Sequence, residues 1–97
     1  MSSMMPDYTG WIVCAQAGRD KGGLFCVMGI VQGQRRLLLA DGKRRKAARP
    51  KVKDVNHVKL LTGGFDHPVI QKLKQGEALS DRELRRALAA FRDQLEV

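Results

Sequence analysis

Short apolar runs separated by tight polar turns fill the first sixty positions of this 97-residue chain, and each run predicts a β-strand. Gly29 falls inside the second run and predicts a bulge or a sharp bend. Asp41-Gly42 is a strong signal for a two-residue hairpin turn. Strands this short predict a small, strongly bent β-barrel, because an open sheet would leave one apolar face uncovered. The predicted strands cover residues 8–16, 24–31, 35–40, 43–47 and 57–61.

The first two runs also contain the two cysteines of the chain. In the first run, Trp11, Val13 and Ala15 fall on one face of the strand and Cys14 falls on the other. Cys14 and Cys26 are isolated, so they cannot form a cysteine-rich zinc site. They are predicted to be reduced core thiols, since a disulfide across paired strands would require an oxidising compartment.

A change of period after residues 62–64 predicts two helices. Asp66 is expected to cap the first helix, with Pro68 in its first turn, and the helix is expected to run towards Gly76. Two roles remain open for the pair of helices. They could pack against the barrel and enlarge a core that fifty residues would leave thin, or they could form a docking or dimerisation hairpin.

The last helix has the clearest local signal. Ser80 and Glu83 form a capping box, in which each side chain bonds the backbone amide of the other residue. Leu79 and Leu84 occupy the positions of a hydrophobic staple around it. The predicted apolar face of the helix consists of Leu84, Leu88, Phe91 and Leu95.

The glycine-rich turn at residues 17–23, Ala-Gly-Arg-Asp-Lys-Gly-Gly, carries the main candidate chemistry. Arg19 can make forked hydrogen bonds to a phosphate, and Lys21 supplies a compact charge. Glycine tolerates positive φ and lets the backbone approach a ligand closely, while Asp20 is expected to hold the loop by accepting from backbone amides. The alternative is an ordinary solvated turn. The residues predicted to shape the backbone of this turn are Gly18, Asp20, Gly22 and Gly23.

Positive charge is concentrated in one region. The net charge is +8, and between residues 19 and 59 twelve Lys and Arg face three Asp, a net of +9. Residues 65–97 are balanced, with six basic and six acidic residues. A field concentrated in this way indicates a polyanionic partner, most commonly nucleic acid, and the alternative is a solvated basic tail.

Within that region, residues 43–53 form a strongly basic segment, which we call the basic arm. A strand there would carry cations on both faces, so the segment is predicted to be an edge strand or to extend into solvent as an exposed arm. Phosphate contacts position a protein without reading sequence, and about six of them give log K a slope near −4 to −5 against log salt. Trp11 and Phe25 are predicted to be core, which favours recognition of structured RNA through its shape and backbone. The predicted RNA contacts are Arg19, Lys21, Arg35, Arg36, Lys43, Arg44, Arg45, Lys46, Arg49, Lys51 and Lys53.

The sequence contains no recognisable catalytic or metal-binding pattern. His57 and His67 have no partner at metal-ligand or triad spacing, and there is no Walker-type or Rossmann-type glycine pattern. We therefore expect a protein without catalysis, cofactor or metal. No run approaches the roughly 20 apolar residues that cross a bilayer, and the N-terminal residues do not match a secretory signal. The cytoplasm is the expected compartment.

The segment Gly10-Trp11-Ile12-Val13, followed by the 17–23 turn, an apolar strand and Asp41-Gly42-Lys43, resembles the KOW motif. It is especially similar to small bacterial KOW-domain RNA-binding proteins, which resemble a group of archaeal and eukaryotic large-subunit ribosomal proteins. The resemblance covers about residues 9–61. It implies an SH3-like β-barrel that binds RNA, with ribosomal RNA as the expected partner. The alternative is a protein-interaction module that recruits a transcription or translation factor, with the C-terminal helices available to a protein partner.

The chain is therefore predicted to be mainly β with C-terminal helices, a small SH3-like barrel followed by a helical hairpin. The predicted divisions are a flexible tail at 1–7, the KOW barrel at 8–61 with its basic arm at 43–53, a linker at 62–65 and a two-helix appendage at 66–97.

Overall fold

The computed structural model describes residues 5–62 and 65–95. Within these residues, five antiparallel strands form one sheet, and two helices follow it in the chain. A single 3-10 turn, Val55–His57, joins the fourth strand to the fifth. The elements are β1 (Ile12–Ala15), β2 (Leu24–Val31), β3 (Arg36–Ala40), β4 (Lys51–Asp54), β5 (Val58–Thr62), α1 (Pro68–Lys74) and α2 (Asp81–Leu95).

The sheet is strongly curled. Its strand order is β4-β3-β2-β1-β5, so the two edge strands are consecutive in sequence. In a flat sheet, four strand spacings would separate them by about 19 Å. The four Cα–Cα steps from Asp54 to Val58 reach at most about 14 Å, so the two edges must curve towards each other. The closed barrel expected from the sequence is nonetheless not formed, because β4 and β5 share no backbone ladder.

Both faces of the sheet are covered. The concave face holds one core cluster, which includes Val13, Phe25, Val27 and Leu37, with Trp11 packed at its border. The predicted core position of Phe25 agrees with this arrangement, whereas Trp11 is only half-buried. The opposite face forms a second cluster with the two helices. The members of that cluster from the sheet are Ile12, Cys26 and Ala40, and those from the helices include Ile70, Leu84, Leu88 and Phe91.

The second and third strands follow the sequence prediction closely. β2 has the predicted bounds, and β3 begins one residue later than predicted. The pairing of β2 with β3 shifts register between Val27 and Gly29, which is the irregularity that Gly29 predicted. β1 is shorter than the predicted run, because residues 8–11 form a turn and its exit.

The predicted strand at residues 43–47 is wrong. These residues form turns and bends, and the fourth strand lies at Lys51–Asp54, after Pro50. The reason lies in Asp41, whose carboxylate accepts from the backbone amides of Lys43 and Arg45 at 2.9 Å each. Amides that are captured in this way are not free to form a strand ladder.

The helices follow the sequence prediction with two differences. His67, rather than Asp66, caps α1, and its ring nitrogen Nδ1 accepts from the Val69 amide. The capping box of α2 is confirmed, with distances of 2.9 and 3.1 Å between the Ser80 and Glu83 partners. Leu95 of the predicted apolar face is exposed. At the other end of the described chain, Met5 falls in the predicted tail yet is buried in the concave core.

Candidate nucleic-acid interface

The turn between β1 and β2 is closed by its own backbone. The Gly22 amide donates to the Ala15 carbonyl at 2.8 Å, and the Lys21 amide donates to the Gly18 carbonyl at 3.2 Å. Gly18 and Gly22 both have positive φ, at 77° and 88°, which an L-residue rarely adopts. The glycines therefore fix the shape of a loop whose two cations, at positions 19 and 21, are exposed.

Asp20 joins this turn to the basic arm. Its side chain is 2% exposed and accepts two bonds from the Arg45 guanidinium, Nε to Oδ1 at 3.3 Å and Nη2 to Oδ2 at 3.0 Å. Lys51 Nζ lies 3.4 Å from the same Oδ2. Burial alone would raise the pKa of Asp20, but the bonds and charges of Arg45 and Lys51 outweigh it and lower that pKa. The expectation that the Asp20 side chain bonds backbone amides is therefore corrected, since its hydrogen-bond and ion-pair partners are side chains of the arm.

Lys53 makes a second connection between the same two segments. Its Nζ donates to the Ala17 carbonyl at 2.7 Å, and the residue is only 8% exposed. Three of the eleven predicted RNA contacts, Arg45, Lys51 and Lys53, thus hold the turn against the arm. Because Lys53 is buried and its ammonium group bonds the turn, it supports the turn rather than adding to the exposed cations.

The exposed cations of the turn and the arm occupy one end of the sheet. The turn leads into the start of β2, and the arm follows the end of β3, which pairs with that start through Cys26 and Ala40. Asp20 fixes the two segments to each other across this end. The exposed cations brought together here are Arg19, Lys21, Lys43, Arg44, Lys46 and Arg49.

Arg35 and Arg36 lie away from the end of the sheet that bears the turn and the arm. They flank the start of β3, about 13 Å of strand away from the end that bears the arm. Arg35 has a positive φ of 53° in the loop before the strand. Arg36 shares a groove along β4 with Lys51 and His57, so it extends the basic surface along the sheet edge, whereas Arg35 is at the far end.

Helix α2 also borders the basic arm. The Asp81 carboxylate accepts from the Ala47 amide at 2.7 Å, and Arg85 Nη1 donates to the Gly42 carbonyl at 2.6 Å. The backbone of Gly42 lies so close to the Asp81 carbonyl that a Cβ would collide with it. The helix therefore fixes the shape of the arm. The two hydrogen bonds join residues that are 34 and 43 positions apart, so no local sequence pattern indicates them.

Few other groups in the described residues have unusual chemistry. Burial raises the pKa of the Cys26 thiol to about 12, which makes it inert, and Cys14 is half-buried and unbonded to a second sulfur. Across residues 5–62 and 65–95, no three His, Cys, Asp or Glu side chains gather as a metal site. Neither helix in this part of the chain has the length and apolar character needed to cross a membrane.

No protein-family model matches this sequence, and no curated protein matches it at a significant level. The resemblance to KOW domains therefore rests on the residues quoted for it.

Proposed function

We propose that this chain is a non-catalytic, cytoplasmic RNA-binding protein that contacts structured ribosomal RNA, or the ribosome, through the 17–23 turn and the basic arm. The observation that carries the proposal is the buried Asp20, which pairs with Arg45 and Lys51 and so unites two cationic segments on one surface. Six exposed Lys and Arg then border a preformed loop. A surface of this kind suits the phosphates of a folded polyanion.

A KOW domain of SH3-like type is the family that fits this arrangement. The supporting features are a five-stranded antiparallel sheet, its two curled edges joined by one 3-10 turn, and a glycine-bounded basic turn between β1 and β2. In the KOW resemblance that turn is the RNA-binding element. The helices are an addition that the resemblance does not cover.

Contact with the RNA backbone is favoured over reading of bases. Phe25 is buried at 3% exposure, and Trp11 packs edge-on against Tyr8, with ring centroids 4.9 Å apart. These rings are engaged within the protein and do not form a free stacking platform beside the exposed cations. The cations are therefore expected to bind phosphates, and specificity is expected to come from the fold of the RNA.

Charge reversal on the turn tests the proposal. Arg19→Glu with Lys21→Glu changes the charge by −4, and a labelled ribosomal RNA transcript provides the probe in fluorescence anisotropy. We expect binding to fall by more than about 50-fold at 0.1 M salt, since each lost phosphate contact costs about eightfold there.

The matched control is Lys59→Glu with Lys74→Glu, two exposed lysines on β5 and at the end of α1. It changes the net charge by the same amount at residues that belong to neither the 17–23 turn nor the basic arm. Equal losses in the two variants would show that only net charge matters and would contradict the assignment of the turn.

The runner-up function is a protein-interaction module, and one observation favours it. An apolar groove of about 550 Å³ lies between the basic arm and the helix connection, lined in part by Met28, Ala47, Leu73 and Leu79. Binding of a translation or transcription factor there would survive high salt and the charge reversal at Arg19 and Lys21. RNA binding through phosphates would survive neither.

A further inference from the structure

A second cationic groove lies between the basic arm and α2. Its volume is about 340 Å³, and it begins at Gly23 and Leu24, where the turn enters β2. The groove is therefore continuous with the surface proposed to bind RNA. Its charged lining consists of Lys43 from the arm and Arg85 and Arg92 from α2, together with Asp41.

Among the residues that the structure describes, the lining of the groove has an excess of positive charge. Three cations face one carboxylate, and the Oδ1 atom of that carboxylate, on Asp41, is occupied by the amides of Lys43 and Arg45. Like charges held close together are stable when a partner of opposite charge enters between them. The groove thus has the electrostatics of an anion site.

Arg85 is held in place for such a ligand. Its Nη1 donates to the Gly42 carbonyl at 2.6 Å, which uses one of the five N–H groups of the guanidinium. Arg92 follows seven positions later, two helical turns along the same face, and Leu88 lines the groove between them. A fixed guanidinium presents a planar, forked donor set that matches the oxygens of a phosphate.

We propose that this groove binds a backbone phosphodiester of the same RNA that contacts the 17–23 turn, so that α2 extends the interface. This inference rests on the proposed function. The sequence alone did not indicate it, because the arginines of α2 lie in a segment with no net charge and are balanced there by acidic residues. Only the fold brings Arg85 and Arg92 beside Lys43.

Arg92→Gln provides the test, because Arg92 is exposed and its removal leaves the Arg85–Gly42 bond intact. The control is Arg86→Gln, an equal charge change on the same helix at an exposed residue that does not line the groove. Anisotropy with a labelled ribosomal RNA stem-loop is expected to show about a five- to tenfold loss for Arg92→Gln at 0.1 M salt. The salt slope is expected to become shallower by about 0.7 to 0.9, with a smaller change for the control.

Equal effects of the two variants would overturn the groove assignment. If the wild type fails to bind RNA, or if Arg19→Glu with Lys21→Glu binds normally, the proposed function fails instead. A titration with inorganic phosphate at constant ionic strength distinguishes a phosphodiester of the RNA from free phosphate as the anion in the groove. Amide shifts at Lys43 that appear with RNA but not with phosphate support the phosphodiester, whereas saturation by phosphate alone would make this a small-anion site and overturn the proposal.

Discussion

Replacing Asp20 with asparagine removes the charge that joins the turn to the basic arm while keeping the size of the side chain. The Asp20 carboxylate is 2% exposed, whereas the side chains of Arg45 and Lys51 are 29% and 37% exposed. The substitution therefore strands no buried charge, because both cations can turn towards water. The amide oxygen of the substituted side chain could still accept one bond from Arg45.

These features set the size of the effect. Hydrogen bonds to charged groups contribute about 1.5–3 kcal/mol, and fully exposed ion pairs contribute less than about 1 kcal/mol. With one partner buried and two half-exposed, we expect Asp20→Asn to lower the free energy of unfolding by about 2 kcal/mol. Urea denaturation followed by circular dichroism measures it. The control is Asp93→Asn on the exposed side of α2, with an expected change within about 0.5 kcal/mol. Equal changes in the two variants would refute the structural role of Asp20.

RNA binding by the same two variants distinguishes the effect of holding the turn in position from the effect of net charge. Each raises the net charge by one, so a purely electrostatic interface would bind RNA more tightly in both. If Asp20 holds the turn in register with the arm, Asp20→Asn is expected to bind about eightfold more weakly at 0.1 M salt, as the loss of one phosphate contact implies. Tighter binding by Asp20→Asn, equal to that of Asp93→Asn, would refute the preformed surface.

The pH dependence follows from the lowered pKa of Asp20. A carboxylate whose pKa is lower in the folded state stabilises the protein above its unfolded pKa, about 3.9, and this contribution is lost as the pH falls through the folded value. The stability difference between the wild type and Asp20→Asn is therefore expected to be constant near neutral pH. It is expected to shrink below about pH 4. A difference that grows on acidification would contradict the sign.

Two further predictions concern the helices and their contact with the arm. Gly42→Ala is expected to destabilise the protein by more than about 2 kcal/mol, because its φ is 77° and the new Cβ would collide with the Asp81 carbonyl. Gly33→Ala, at a similar φ with open space around it, provides the control and should cost less in urea denaturation. The side-chain bond from Lys72, followed by the Ser80 amide, lowers the pKa of Glu83 from 4.5 to about 2, so its contribution to stability is present above pH 4.5 and lost towards pH 2. An NMR titration of the Glu83 carboxyl in the wild type and in Lys72→Met checks this, and a midpoint near 4.5 in both would contradict it.

Local signals predicted the local structure well. The apolar run of β2, the bulge at Gly29 and the capping box of Ser80 and Glu83 depend on residues a few positions apart, and all three are present. The strand predicted at residues 43–47 was wrong because the Asp41 carboxylate competes for the amides that a ladder would need. Neither the strand propensity of a segment nor the alternation of its residues indicates that a side chain will bond these amides.

The candidate site depended on contacts that the sequence could not show. Charge counting located the basic region, and the glycine pattern located the turn. Neither could show that Asp20 pairs with Arg45, 25 positions away, or that α2 packs on Gly42. These contacts hold the cations of the turn and the arm together on one surface. They also divide the predicted RNA contacts, since Lys53 supports the turn from within while Arg35 lies at the other end of β3.

The salt dependence of RNA affinity tests the central claim most directly. Anisotropy titrations of the wild type with a labelled ribosomal RNA transcript, repeated from low to high salt, give the slope of log K against log salt. About six phosphate contacts by the exposed cations predict a slope near −4 to −5. Arg19→Glu with Lys21→Glu should make the slope shallower by about 1.4 to 1.8. A flat slope in the wild type, or the same slope in both proteins, would contradict an interface built on the turn and the basic arm.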